Sequence, residues 1–260
     1  MSFGSGSLTI AARRAGSRTV LERVRYEGIS RCSRAFAVDG AARVVLSQLG
    51  PGVVRGDAVT TAGHVRAGAH LIVTSQAATR LMGGARKSGS HQTWTVEEGA
   101  VLELLGEPLV AHDDARHEST MAVRLAFGAI VLIGEIAAVP RAADVRVRTS
   151  VIRGGRELFY DAFEAGAAAP HAVGTLAVVG LAPERVAPLV EALDFTADAL
   201  GNALRTGVGA LSSGAFVRIL TLDVWSVRTA LGTLRDTAWS TLRRQSPAAP
   251  VRALAAGFDG

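Results

Sequence analysis

Cysteine is almost missing from this chain. Cys32 stands alone among 260 residues, which excludes an internal disulfide and any zinc cluster built on cysteines. Aromatic residues make up only 5%, so a core has to come from Val, Leu, Ile and Ala, and stacking platforms for nucleic-acid bases are scarce. Lysine is as rare: Lys87 is the only one, and the net charge of +5 rests on arginine. The arginines are scattered, with no run longer than two. Nucleic acid is therefore not an expected partner, and an Arg- and Ala-heavy composition from a GC-rich genome accounts for the charge.

Long apolar runs are lacking too. The longest, Leu125–Ile133, spans nine residues and stops at Gly134-Glu135, whereas a helix crossing a bilayer needs about 20. No membrane helix is expected. The opening segment, MSFGSGSLTIAARRAG, has no apolar block followed by a cleavage site, so no signal peptide is read and a cytoplasmic location is expected.

What is present is apolar residue in quantity. Hydrophobic content is 48% with a mean hydropathy of +0.28, enough for a substantial core and for surface patches that require a partner. Gly50–Met82 anchors the reading. Gly50, Gly52 and Gly56 with Pro51 predict an irregular turn. Two strand-like segments follow, Ala58–Val65 and His70–Gln76, joined by Arg66-Ala67-Gly68-Ala69. Read as a hairpin, that link sets His64 opposite His70. The same grammar joins Ala35–Val38 to Arg43–Leu46 through Asp39-Gly40. It also joins Trp94–Val96 to Ala100–Leu105, Thr120–Phe127 to Ile130–Ile136, and Val145–Ile152 to Glu157–Tyr160 through Gly154-Gly155. Residues 83–90 and His112–Glu118 read as loops, and Gly106 with Pro108 ends a strand. No internal repeat stands out.

The period changes in the last third. Val186, Leu189, Val190, Leu193, Ala197 and Leu200 recur at helical spacing after Pro183, with Gly201-Asn202 as a stop. A strand at Ala215–Leu220 leads into a second helix. Its stripe is Val224, Val227, Leu231, Leu234, Ala238 and Leu242, with Asp223 at its start, and it is expected to pack on the sheet. The expected fold is mainly β: one strand-rich domain over residues 1–260, antiparallel or β-helix-like, with two α-helices late in the chain. Residues 1–7 and 246–260 are expected as loose tails.

The search for chemistry is mostly negative. The Gly50–Asp57 turn lacks the lysine and the following helix of a phosphate loop. There is no Gly-x-Ser-x-Gly, and Ser212-Ser213-Gly214 has no partner. The carboxylate pairs Glu97-Glu98 and Asp113-Asp114 read as solvated turns. His64 with His70, or His112 with His117 beside Asp113, Asp114 and Glu118, are the candidate metal-binding sets.

An ordered set of motifs carries more. Gly52-Val53-Val54-Arg55-Gly56-Asp57, then Gly68-Ala69-His70-Leu71-Ile72-Val73-Thr74-Ser75-Gln76-Ala77-Ala78-Thr79-Arg80, then Gly99–Leu105 with Pro108, resemble the urease accessory protein UreD (UreH) family. Gly209–Ser212, Val217–Leu220 including Arg218, Val227-Arg228 and Leu234-Arg235 resemble its closing strand and helix. The resemblance spans about Val44 to Arg244 and is dense over 50–108. Pro51 and Arg55 stand where the family has glycine, Arg80 replaces lysine, and Leu104 replaces tyrosine. The segment from Gly134-Glu135 to Arg141 matches poorly.

The resemblance implies a β-rich scaffold without enzymatic activity. It implies binding to UreF, through UreF to the GTPase UreG, and docking on apo-urease, with nickel in transit and no tightly bound cofactor. Asp57, His70, Glu103 and Glu135 are the candidate polar residues along a nickel route, since a divalent cation crossing a protein interior requires oxygen or nitrogen ligands. A metal-dependent β-barrel enzyme and a β-scaffold subunit of another complex are the alternatives.

Overall fold

The computed structural model describes residues 4–54, 56–140, 142–165, 172–201 and 204–245. The chain opens with strands β1 (Gly6–Ala15), β2 (Arg18–Gly28), β3 (Ser30–Cys32), β4 (Phe36–Val38) and β5 (Ala41–Gln48). It then runs through β6 (Ala58–Val65), β7 (His70–Ser75), β8 (Thr79–Leu81), β9 (Ser88–Val96), β10 (Val101–Leu105) and β11 (Leu109–Ala111). Next come β12 (Arg116–Leu125), β13 (Ile130–Ala138), β14 (Asp144–Arg153), β15 (Arg156–Ala165) and β16 (Ala172–Val179). A 3-10 turn at Pro183–Arg185 leads into α1 (Val186–Ala199), followed by β17 (Arg205–Leu211), β18 (Gly214–Thr221) and α2 (Val224–Arg244).

The strands form two sheets. One orders β15-β14-β12-β9-β6-β1-β2, the other β17-β18-β16-β13-β10-β7-β5-β3. Within the first, β6, β9, β12 and β14 are parallel neighbours; within the second, β5, β7, β10 and β13 are. The arrangement is β-solenoid-like. Each coil lays one strand in the first sheet, turns a corner, lays the next in the second, and returns through a short third side where β8 pairs with β11 in parallel. Antiparallel strands cap the stack.

Three expected hairpins are therefore corners. Ala58–Val65 does not pair with His70–Ser75, Trp94–Val96 does not pair with Val101–Leu105, and β12 does not pair with β13. His64 does not face His70. A four-residue glycine link suits a hairpin and a corner equally well; burial decides between them. The inward residues on both sides of each link, such as Trp94 and Val96 before it and Leu102 and Leu104 after it, share one apolar core between the sheets. A hairpin would have laid them in a single sheet.

The corners also reveal a repeat. Val65-Arg66-Ala67-Gly68-Ala69, Val96-Glu97-Glu98-Gly99-Ala100 and Leu125-Ala126-Phe127-Gly128-Ala129 follow one pattern, apolar-x-x-Gly-Ala. Gly68, Gly99 and Gly128 have φ of 63°, 62° and 69°, a left-handed turn that costs other residues about 1 kcal/mol or more. The alanine after each is buried, and its small size lets the corners stack.

Two hairpins are as expected. Val38 pairs with Ala41 around Asp39-Gly40, and Arg153 with Arg156 around Gly154-Gly155. Strand β1 begins at Gly6, inside the segment expected as a tail; residues 246–260, Arg55, Arg141 and Asn202 lie outside the described residues. Ser88 opens β9 and Arg116 opens β12, so the loops expected at 83–90 and 112–118 are shorter than read.

Both helices are where periodicity places them. Asp223 caps α2, accepting from the backbone N–H groups of Trp225 and Ser226 at 3.2 and 2.9 Å, which satisfies two of the donors at a helix start. Leu189, Leu193, Val227, Leu231 and Leu234 pack on the outer face of the second sheet against Leu132, Leu176 and Ile219. That sheet is covered on both faces, which explains why β13 and β16 are apolar on both faces apart from Glu135 and Thr175.

Candidate functional site: a polar cavity between the sheets

The space between the sheets is apolar toward the corners and polar toward the other end. There the side chains leave a cavity of about 420 Å³. Its walls carry Thr61, Ser90, Gln92, His117 and Ser119 from the first sheet and Glu135, Thr175 and Arg218 from the second. The Gly50–Val53 turn and the Gln76–Arg80 segment border it on the third side. Gly52 there has φ of 138°, and a Cβ on it would fall 2.4 Å from the Arg80 carbonyl oxygen. Val53 N–H donates to that same oxygen at 2.8 Å, so the turn and the Arg80 strand lie too close for a side chain at 52.

One layer of the solenoid concentrates the charge. Thr149 and Asp161 are paired across β14 and β15; Glu135, Thr175 and Arg218 are paired across β13, β16 and β18. Thr149 Oγ1 crosses between the sheets and donates to Glu135 Oε2 at 2.8 Å. Arg218 donates to Asp161 in an ion pair that also crosses the sheets, and Thr175 Oγ1 lies 3.4 Å from the other Asp161 oxygen. Desolvation pushes the Glu135 carboxyl up to about 7; Asp161 adds to the rise, while Thr149 and Arg218 oppose it. What surface Glu135 keeps faces the cavity.

His117, read from sequence as part of a loop, is an inward residue of β12 and almost wholly buried. Ser88 Oγ lies 2.9 Å from its Nδ1 and Ser90 Oγ 3.1 Å from its Nε2. Burial, assisted by His91 and Lys87, lowers its pKa to about 4, so the ring is neutral at physiological pH. His112 lies in the preceding turn and is exposed, so the pair His112/His117 is divided between solvent and core. His64 contacts Glu97 at 2.6 Å and His70 contacts Glu103 at 2.8 Å, each with a carboxylate rather than with the other. Among the described residues no group of three or more His, Cys, Asp or Glu is gathered to hold a metal.

The four candidate route residues separate into three places. Glu135 is on the cavity wall. Asp57 is buried at the end of β6, its Oδ2 accepting from Val54 N–H at 3.0 Å while Oδ1 is buried with no hydrogen-bond partner. Ala58 pairs with Gly89, and His117 with Ser88, which sets Asp57 on the same row as Ser88 and His117, next to the cavity. His70 and Glu103 are on the opposite, outer face of the second sheet. Burial alone would raise the Glu103 carboxyl, but the His70 hydrogen bond and the Arg235 charge hold it below the usual range. Arg235 of α2 reaches it at 2.7 Å and the His70 ring packs on Trp239, 5.6 Å between centroids. These two residues fasten the helix to the sheet and do not line the cavity.

The motif residues behave differently. Gly52, Thr74, Gln76, Ala78, Thr79, Arg80 and Arg218 all line the cavity; Gly56, Asp57 and Pro108 do not. The stretches that carry the resemblance thus converge on one enclosed space. The profile of the family described as UreD urease accessory protein matches residues 4–253. The chain belongs to the UreD family. A urease accessory protein UreD of Cupriavidus pinatubonensis is 28% identical over 274 residues, covering 95% of this chain and 91% of the relative. One from Ralstonia nicotianae is 29% identical over 233 residues, covering 80% and 77%. One from Yersinia pestis reaches 40% over 65 residues, about a quarter of each chain. UreD membership brings a role in urease maturation.

Sequence reasoning missed Asp161, Thr175 and His117 as cavity residues. Strand β16 was not anticipated, and Asp161 lies beyond the hairpin read as ending at Tyr160. The outward-inward alternation of Tyr160, Asp161 and Ala162 was the available signal.

Proposed function

We propose that this chain is a non-catalytic scaffold of urease maturation. It binds UreF, through it the GTPase UreG, and apo-urease, and it gives nickel a protected path through the cavity between its sheets. The observation that carries this reading is the layer of Glu135, Asp161 and Arg218 on the wall of a polar cavity enclosed between the two sheets. Buried carboxylates are costly without a charged ligand or partner, and oxygen donors suit a divalent cation in transit. Asp57 belongs to the same path, since its buried Oδ1 lacks a partner. No nucleophile–base pair is needed for this role.

Apolar side chains on the surface support the partner side of the reading. Phe195 on α1, Leu222 before α2 and Trp225 in its first turn are largely exposed, and they fit the late helices as a surface for UreF. No helix among the described residues is long and apolar enough to cross a membrane, which is consistent with assembly on urease in the cytoplasm.

Co-expression of the chain with UreF, UreG and the urease subunits, followed by pull-down and nickel analysis of urease, tests the proposal. Glu135→Gln is expected to leave the assembly intact and lower urease nickel several-fold. Full nickel loading with the variant at normal level would remove Glu135 from the path. Absence of urease subunits from the pull-down would overturn the scaffold.

A further inference from the structure

The charged layer is asymmetric, and the asymmetry has a use. Glu135 lies within the stack, flanked by β10 and β16, whereas Asp161 and Arg218 lie on β15 and β18, in the capping strands. The side chains of Asp161 and Arg218 are 16% and 27% exposed. The ion pair therefore closes the cavity on the side of the last coil, from one sheet to the other, with Glu135 behind it.

We propose that Arg218 is a tethered counter-cation: its guanidinium occupies, at Asp161, the position that a divalent cation takes during passage, and withdraws when that cation arrives. The inference rests on reading the cavity as a metal path. Arg218 shares one layer with two carboxylates: it is bonded to Asp161 and is separated from Glu135 by one strand, with Thr175 between them in the register, near enough for its charge to act on Glu135. An arginine cannot lose its charge in a protein, so the layer holds a permanent positive charge while no metal is there. A monovalent ion offers Asp161 nothing the guanidinium does not already supply. A divalent ion offers twice the charge at a shorter contact and can bridge both carboxylates. Release is assisted in the same way, because the returning guanidinium competes for Asp161. The pair thus selects by charge and keeps binding weak enough for onward transfer.

The test is equilibrium dialysis of the purified full-length chain, folded by circular dichroism, against Ni²⁺ alone, with K⁺ in the background. Arg218→Met is expected to bind Ni²⁺ about tenfold more tightly than the unaltered chain, and Arg218→Lys less than threefold more tightly. Adding Glu135→Gln to Arg218→Met is expected to reverse the gain. Should Arg218→Met not fold, Arg218→Gln, which keeps a donor beside Asp161 but no charge, is read in its place with the same expectation. Equal or weaker binding in the folded charge-free variant, with binding by the unaltered chain still sensitive to Glu135→Gln, overturns the counter-cation and leaves the path standing. Binding insensitive to Glu135 in every protein overturns both.

Discussion

Arg235 and Glu103, 132 residues apart, meet at 2.7 Å beneath helix α2. The carboxylate is nearly sealed from solvent and its partner is 14% exposed, so the pair differs from the surface bridges elsewhere on the molecule, which are worth little. With His70 as third member it fixes the register of α2 on the second sheet. This is the role the geometry gives to two of the residues that the resemblance had suggested for nickel.

Breaking that cluster on one side leaves a buried charge without its partner. Arg235→Met is expected to destabilise the chain by about 3 kcal/mol, read as a lower urea midpoint. The paired replacement Glu103→Leu with Arg235→Met removes both charges and is expected to recover most of the loss. A double variant as unstable as the single would show that packing, not the charge, holds the helix. The stable double variant should still support urease activation.

His117 makes stability depend on pH. Its folded-state pKa, about 4, lies below the ordinary 6.5. Below pH 6.5 the unfolded chain takes up a proton that the native ring refuses, so stability is fully present above 6.5 and declines as the pH falls toward 4. The contribution at stake is roughly 3 kcal/mol. Urea titrations from pH 7 to pH 4 are expected to show the decline, and His117→Gln should flatten it. An equal slope in the variant would assign the acid sensitivity elsewhere.

Two glycine-to-alanine changes should differ sharply. At Gly99 there is open space, and only its left-handed φ resists a side chain; a cost of about 1 kcal/mol is expected. At Gly63 a Cβ would fall 1.9 Å from the Trp94 ring, a bulky side chain buried in the core between the sheets. Gly63→Ala is expected to cost about 3 kcal/mol. Thermal melts of the two variants decide, and similar midpoints would contradict the packing described for the first sheet.

The sequence made the elements legible and their partners much less so. Strand-like runs between glycine links marked β6, β7, β10, β12 and β13, and helical spacing marked both helices with their buried stripes. The corner and the hairpin share one local grammar, however, and only the recurrence of apolar-x-x-Gly-Ala at residues 65, 96 and 125 separates them. Glu103 and Glu135 show why the site was half visible. Both are acidic residues in apolar strands, yet one faces the helices and the other the cavity. Strand β10 presents Leu102 and Leu104 to the inner core, so Glu103 has to face outward. Strand β13 presents Val131 and Ile133 inward, so Glu135 follows them. Parity along the strand contained that distinction; the side of the sheet on which the helices pack did not.

Nickel in urease, measured per active site after co-expression with UreF, UreG and a Ser119→Phe variant of this chain, tests the central claim most directly. Ser119 lines the cavity wall and faces Ser90, with 3.0 Å between their hydroxyls, so the introduced ring fills the space between the sheets while the surfaces offered to partners are unchanged. With the variant at normal level and still recovered with urease, nickel content is expected to fall to a small fraction of the unaltered value. Full nickel occupancy in that intact complex would show that the metal does not pass through this cavity.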